Sequence, residues 1–136
     1  MDCEARPLVA GAASGRIVSL SEPLSFWGGF DTETGDIIDV HHPQRGSNLT
    51  GCILVVAHGR GSSSSSSVLA EAIRLGTAPA GIVLSAADEI LVLGALVAAE
   101  LYGNVCPIVV VGQGDHEEIG QASQATITAK GSIRFD

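Results

Sequence analysis

The stretch "VVAHGRGSSSSSSVLAEAIRLG" (Val55–Gly76) decides the fold. Its six serines, Ser62–Ser67, belong either to a flexible spacer or to a loop inside a folded unit. A spacer would leave two pieces of roughly 60 to 70 residues, each marginal as a separate core. The whole chain of 136 residues suits a single domain spanning 1–136. The apolar run before the serines, Gly51–Ala57, reads as a buried strand. After them, Val68, Leu69, Ala72 and Ile73 share one helical face, Glu71 and Arg74 turn outward, and Gly76 sits where a helix-ending glycine belongs. The serines therefore connect a strand to a helix.

The same rhythm continues downstream. Gly81–Ser85 is a second buried strand, Asp88 caps a helix running to about Tyr102, Gly103 ends it, and "CPIVVVG" (Cys106–Gly112) is a third strand. Alternating strands and helices predict a parallel layer with helices packed on it. Gly15–Leu20 reads as a strand, and "ATITAKGSIRF" (Ala125–Phe135) as a hairpin turning at Lys130–Gly131. These β-rich ends are expected to add a second, mixed layer. The region between Glu22 and Gly46 is irregular, with a turn at "DTETGD" (Asp31–Asp36).

Composition removes several functions. The net charge is −8, and the seven basic residues are scattered, so no stripe follows a nucleic-acid backbone. One tryptophan, one tyrosine and three phenylalanines give base stacking little support. The N-terminus opens with acids and lacks a long apolar stretch, so no signal peptide is expected. The most apolar region, Glu89–Gly103, is too short and too acidic to span a bilayer, and a cytoplasmic protein is expected. Cys3, Cys52 and Cys106 are odd in number and dispersed, which predicts reduced thiols and no zinc or iron–sulfur site on this chain.

Within the serine loop, Gly59 and Gly61 let the backbone turn sharply and approach a ligand. The helix start exposes N–H groups that favour anions. Ser62 and Ser63 are placed as cap and first-turn residues. A cap needs only one serine, which leaves most of the run unexplained. The Gly-Lys-Ser/Thr ending of a nucleotide loop is missing. A serine at a helix start is also a candidate base, provided that the dipole and N–H groups stabilise its alkoxide. Arg60 is placed to grip a carboxylate. On spacing alone, anion binding ranks above catalysis. His41 and His42 are adjacent and do not form a metal pair; one is expected to be hydrogen-bonded in a turn. His58 and His41 are candidates for orienting Ser62, and His116 is expected in solvent. Asp31, Glu33 and Asp36 lack the spacing of a calcium loop.

Two segments, "SEPLSFWGGFDTETGDIIDVHHPQRGSNLTG" (Ser21–Gly51) and "GRGSSSSSSVLAEAIRLGTAPAGIVL" (Gly59–Leu84), resemble the small subunit, or swivel domain, of aconitase X enzymes. The likeness runs from about Gly11 to Gly112. It implies an α/β fold made of one swivelling β/β/α domain, with a parallel strand–helix core and β-rich ends. It also implies a hydro-lyase, active only with a large subunit that carries the iron–sulfur cluster. Ser62 is similar to the serine base of ordinary aconitases. Ser63 keeps their second serine, while Ser64 stands where their carboxylate-binding arginine would be, which weighs against a citrate-like substrate. With Ser62 as base, the substrate-binding set is Arg60, Gly61, Ser63 and Ser64, plus Trp27, Gly28 and Gly29 on a lip formed by Ser25–Gly29; Phe26 reads as core. The family implies two small-molecule substrates, mevalonate 5-phosphate and cis-3-hydroxy-L-proline. "GRGSS", "SFWGG" and "EAIRLGTAP" resemble the bacterial hydroxyproline branch. A non-catalytic anion-binding or scaffold domain is the alternative from another class.

Overall fold

The computed structural model describes residues 1–136. In chain order it holds strands β1 (Asp2–Glu4), β2 (Arg6–Val9) and β3 (Ala13–Ser19), then a short turn α1 (Phe26–Gly29) whose Trp27 and Gly28 leave helical backbone angles. Strand β4 (Ile53–Val55), helix α2 (Ser65–Leu75), strand β5 (Gly81–Leu84), helix α3 (Glu89–Tyr102) and strand β6 (Ile108–Val110) follow. Helix α4 (Gln113–Gly120) and strands β7 (Gln124–Ile127) and β8 (Ser132–Phe135) complete it.

Strand β3 is the pivot of the architecture. Its first half, Ala13–Arg16, pairs antiparallel with β7, and its second half, Ile17–Ser19, pairs parallel with β4. The eight strands run in the order β1-β8-β7-β3-β4-β5-β6-β2. Strands β4, β5 and β6 are parallel neighbours whose side chains alternate between two faces. Ile53, Val55, Val83 and Val109 face a cluster with Ile119 of α4 and Ala125, Ile127, Ile133 and Phe135 of the β7–β8 hairpin. Leu54, Ile82 and Ile108 face the other way, against Leu69 and Ile73 of α2 and Leu91 and Ala95 of α3. The result is hairpin, parallel sheet and helices in three layers. Both sheet faces are covered, which is why β4 and β5 read as unbroken apolar runs.

The layers differ in one respect from the expectation. The second layer is antiparallel throughout, from β1 through β8 and β7 to β3. The mixed layer is the first, because β2 adds antiparallel to β6 at its edge. Helix α4 was not expected either. It brings His116 inward, where Nε2–H donates to the Val56 carbonyl at 3.1 Å, so this histidine is not simply solvated.

The helix ends follow local chemistry. Asp88 Oδ1 accepts from Ile90 N (3.0 Å) and Leu91 N (3.1 Å) to start α3, and Gly103 ends it at φ +71°. Helices α2 and α3 pack very closely at Gly94, where a Cβ would lie 2.6 Å from the Ser66 carbonyl oxygen. The irregular region is ordered by burial of Phe26, Phe30, Ile37 and Leu49 against the helix-side core. His42 is the hydrogen-bonded member of the histidine pair: Nδ1 accepts from Gln44 N (3.0 Å), and Nε2–H donates to the Glu22 carbonyl (3.2 Å). No helix is long and apolar enough to cross a membrane.

Candidate functional site

The glycine–serine turn leaves β4 at the carboxyl edge of the parallel sheet, the edge where α/β proteins bind ligands. Gly61 adopts φ +91°, and a Cβ there would collide with Ser25. A side chain at 61 is thus disfavoured on both backbone and steric grounds. Ser62, Ser63 and Ser64 are exposed. Helix α2 begins later than expected, at Ser65, because a tight turn precedes it. Ser65 N bonds the Ser62 carbonyl (3.0 Å), and Ser66 N bonds that of Ser63 (3.2 Å). The Ser62 hydroxyl accepts from Ser64 N at 3.0 Å. Ser62 therefore does cap, but it caps the leading turn rather than the helix itself.

That hydrogen bond has a chemical consequence. An N–H donated to a hydroxyl oxygen favours its anionic form, as does a position ahead of an eleven-residue helix. The Ser62 oxygen thus sits exposed where negative charge is tolerated. Arg60 is anchored through its backbone N–H to the Leu24 carbonyl (3.3 Å). Its guanidinium lies 3.9 Å from Glu22 and 4.0 Å from Asp39, partly exposed. Ion pairs this long and wet are weak, so an incoming carboxylate competes for Arg60 on fair terms.

The structure also joins the lip to the turn. Trp27 N donates to the hydroxyl of Ser65 at 3.0 Å, and Ser65 is almost fully buried. Ser25 Oγ donates to the Trp27 carbonyl at 2.9 Å and lies against Gly61. Trp27 is 58% exposed, beside the serine turn but outside the core, whereas Phe26 is core. Gly28 takes φ +81° with open space around it, and Gly29 packs on Leu24 and Asp39. A cavity of about 200 Å³ lies beneath the turn, lined by Arg60, Gly61, Ser65 and Asp88 with Leu24 and Phe26 among the apolar walls. Neither candidate histidine hydrogen-bonds Ser62. His58 Nδ1–H donates to the adjacent Gly59 carbonyl (2.6 Å), and His41 is held through its backbone by Asp39.

Sequence reasoning missed Ser65 and underused Asp88. Ser65 is the fourth of six identical residues, and only its place on the buried side of α2 distinguishes it. Asp88 was legible as a cap, but its other oxygen also accepts from Gly59 N at 2.8 Å.

The cysteines do not fit an iron–sulfur cluster. Burial pushes Cys52 and Cys106 up to about 12, and Cys106 donates to the Pro79 carbonyl (3.4 Å). Cys3 is raised too, by burial and then by the surrounding acids, Asp115 first. No group of three or more metal-binding side chains gathers anywhere on the chain.

A β/β/α layer sandwich with a glycine–serine turn at the sheet edge defines a swivel domain of the aconitase type. The chain belongs to the aconitase X swivel domain family, which matches over residues 2–135. It is 51% identical over 108 residues to a cis-3-hydroxy-L-proline dehydratase of Pseudomonas aeruginosa, covering 79% of this chain and 19% of that protein. It is 45% identical over 92 residues to a phosphomevalonate dehydratase small subunit of Methanopyrus kandleri, covering 68% of each. The holo-form crystal structure of Thermococcus kodakaraensis aconitase X superposes with a TM-score of 0.87 at 29% identity, over 100% of this chain and 98% of that one. The chain spans about a fifth of the length of the cis-3-hydroxy-L-proline dehydratases that it matches.

Proposed function

We propose that this chain is the swivel portion of a cis-3-hydroxy-L-proline dehydratase and supplies its serine base. The observation that carries the chemistry is the exposed Ser62 oxygen, hydrogen-bonded by Ser64 N–H ahead of helix α2. The choice of substrate rests on the 51% identity to the Pseudomonas dehydratase and on a turn that offers one cation, Arg60.

The reaction is a β-elimination. Ser62, as alkoxide, takes the proton from Cα beside the substrate carboxylate; the electron pair forms the Cα–C3 double bond, and the C3–O bond breaks. The leaving hydroxide takes one proton from solvent and departs as water, and Ser62 returns the Cα proton to solvent, so one water is lost and the alkoxide is restored. The resulting enamine tautomerises to Δ1-pyrroline-2-carboxylate. Arg60 takes the substrate carboxylate, and the Ser63 N–H with the hydroxyls of Ser63 and Ser64 holds the charge that builds on it. Gly61 brings the backbone close, and the lip of Trp27, Gly28 and Gly29 borders the substrate. The aconitase X family implies an iron–sulfur enzyme, and the cluster belongs to a large-subunit portion facing this turn, since the cysteines here do not suit it.

The test is to combine the chain with its large-subunit portion and offer cis-3-hydroxy-L-proline and mevalonate 5-phosphate separately. Turnover of hydroxyproline is expected. Turnover of mevalonate 5-phosphate alone would favour the second reading, a phosphomevalonate dehydratase small subunit. That reading is supported by the match to the Methanopyrus subunit, which extends over two thirds of both chains.

A further inference from the structure

Asp88 lies on the connection that leaves β5, next to the glycine–serine turn that leaves β4. Capping α3 occupies one carboxylate oxygen: Oδ1 takes both Ile90 N and Leu91 N. Oδ2 reaches into the neighbouring connection and accepts from Gly59 N at 2.8 Å. The fit is close, because a Cβ on Gly59 would lie 2.9 Å from Oδ2 and 3.4 Å from Leu91. The next residue is tied to the Leu24 carbonyl through Arg60 N, and Gly61 rests on Ser25. The turn is therefore pinned on three sides, and only the Asp88 side runs to a helix start.

We propose that Asp88 is a positioning residue of the site. One oxygen holds α3 and the other holds Gly59, so the carboxylate sets the attitude of the turn that presents Arg60 and Ser62. Its effect on turnover rests on the dehydratase reading; its grip on the turn does not.

Asparagine separates the two oxygens. A carboxylate accepts on both, whereas a carboxamide accepts on one and donates from the other. Asp88→Asn can cap α3, but it then points N–H at N–H across to Gly59. Asp88→Ser also caps well, yet is too short to span both connections. A misplacement of about 1 Å in a catalytic group costs roughly a hundredfold in rate.

The experiment records amide spectra of the full chain and turnover of the reconstituted complex for both variants. The Gly59 and Ser62 amides are expected to shift, with faster exchange at Gly59, while Ile90 and Leu91 stay in place for Asn and Ser alike. The kcat should fall by about ten- to a hundredfold, and KM should rise because Arg60 moves with the turn. Unmoved Gly59 and Ser62 amides in both variants would overturn the proposal. So would a perturbed turn with kcat within about twofold of the parent, given that a loss of at least about tenfold is expected. A parent complex that turns over neither substrate would sink the dehydratase reading alone, and the amide spectra would still decide whether Asp88 sets the turn.

Discussion

Ser62 has two jobs that substitution can pull apart. Its hydroxyl caps the tight turn ahead of α2 by accepting from Ser64 N at 3.0 Å, and the same oxygen is the proposed base. Ser62→Ala removes both. Losing one exposed side-chain hydrogen bond of this kind costs about 1 kcal/mol, which lowers the thermal midpoint of a chain this size by roughly 4 °C. The chain stays overwhelmingly folded, because ordinary domain stability is about 5–15 kcal/mol. Removing a general base costs about 10²–10⁴-fold in rate, or about 3–5 kcal/mol of barrier. The second effect is the larger, so inactivity cannot be blamed on lost stability. Ser62→Asn makes the separation sharper. Its side-chain oxygen restores the cap but cannot take the proton, so the midpoint should return toward the parent while turnover stays at the alanine level. Ser63→Ala, which removes only a charge-holding hydroxyl, should cost less, on the order of ten- to a thousandfold. The assays are thermal melts of the chain and the rate of Δ1-pyrroline-2-carboxylate formation by the reconstituted complex. Near-normal turnover in Ser62→Ala or Ser62→Asn would refute the base assignment, and a more damaging Ser63→Ala would show that the roles are exchanged.

Other outcomes follow from single features. Gly61→Ala forces a left-handed backbone angle worth about 1–2 kcal/mol and presses a methyl on Ser25, so both midpoint and turnover should drop; an alanine variant as stable as the parent would contradict this. The purified chain should hold no stoichiometric iron after anaerobic reconstitution, as read by metal analysis and visible spectra, and a stable cluster would show that its cysteines were misread. At pH 8 the native chain should alkylate slowly at Cys52 and Cys106, both pushed up to about 12 by burial, and rapidly only after denaturation. Fast modification of all three thiols in mass spectra of the folded chain would refute that ordering.

The elements that sequence reading placed well are those specified locally. Helix α3 carries its own start in Asp88 and its own stop in Gly103, and α2 carries its stop in Gly76. The β7–β8 hairpin carries its turn in Gly131, at φ +90°. The elements that escaped depend on distant partners. Strands β1 and β2 are three and four residues long and exist because β8 and β6 pair with them across most of the chain. Helix α4 buries only Ile119 and includes two glycines, so neither periodicity nor propensity announces it. The site divides along the same line. The bend at Gly61, the hydroxyl of Ser62 and the charge of Arg60 were visible as residue types in order, whereas Gly59, expected to bend as well, instead bridges Leu24 and leaves room for Asp88. The clasp from Asp88 to Gly59 and the peg of Ser65 under Trp27 are tertiary, joining residues 29 and 38 positions apart.

The contact between Gly94 and the Ser66 carbonyl sets a mechanical tolerance for the active edge. Gly94 is buried within α3 against Ser66 and Leu69, where it acts as the thinnest possible shim between the two helices. A single methyl there would have to lift the first turn of α2 by some tenths of an ångström, since a backbone oxygen cannot swing aside. The serine turn rides on that first turn. Fine adjustment of where the serines stand is thus available from behind, to a laboratory selection as much as to natural drift, without changing any residue that a ligand touches.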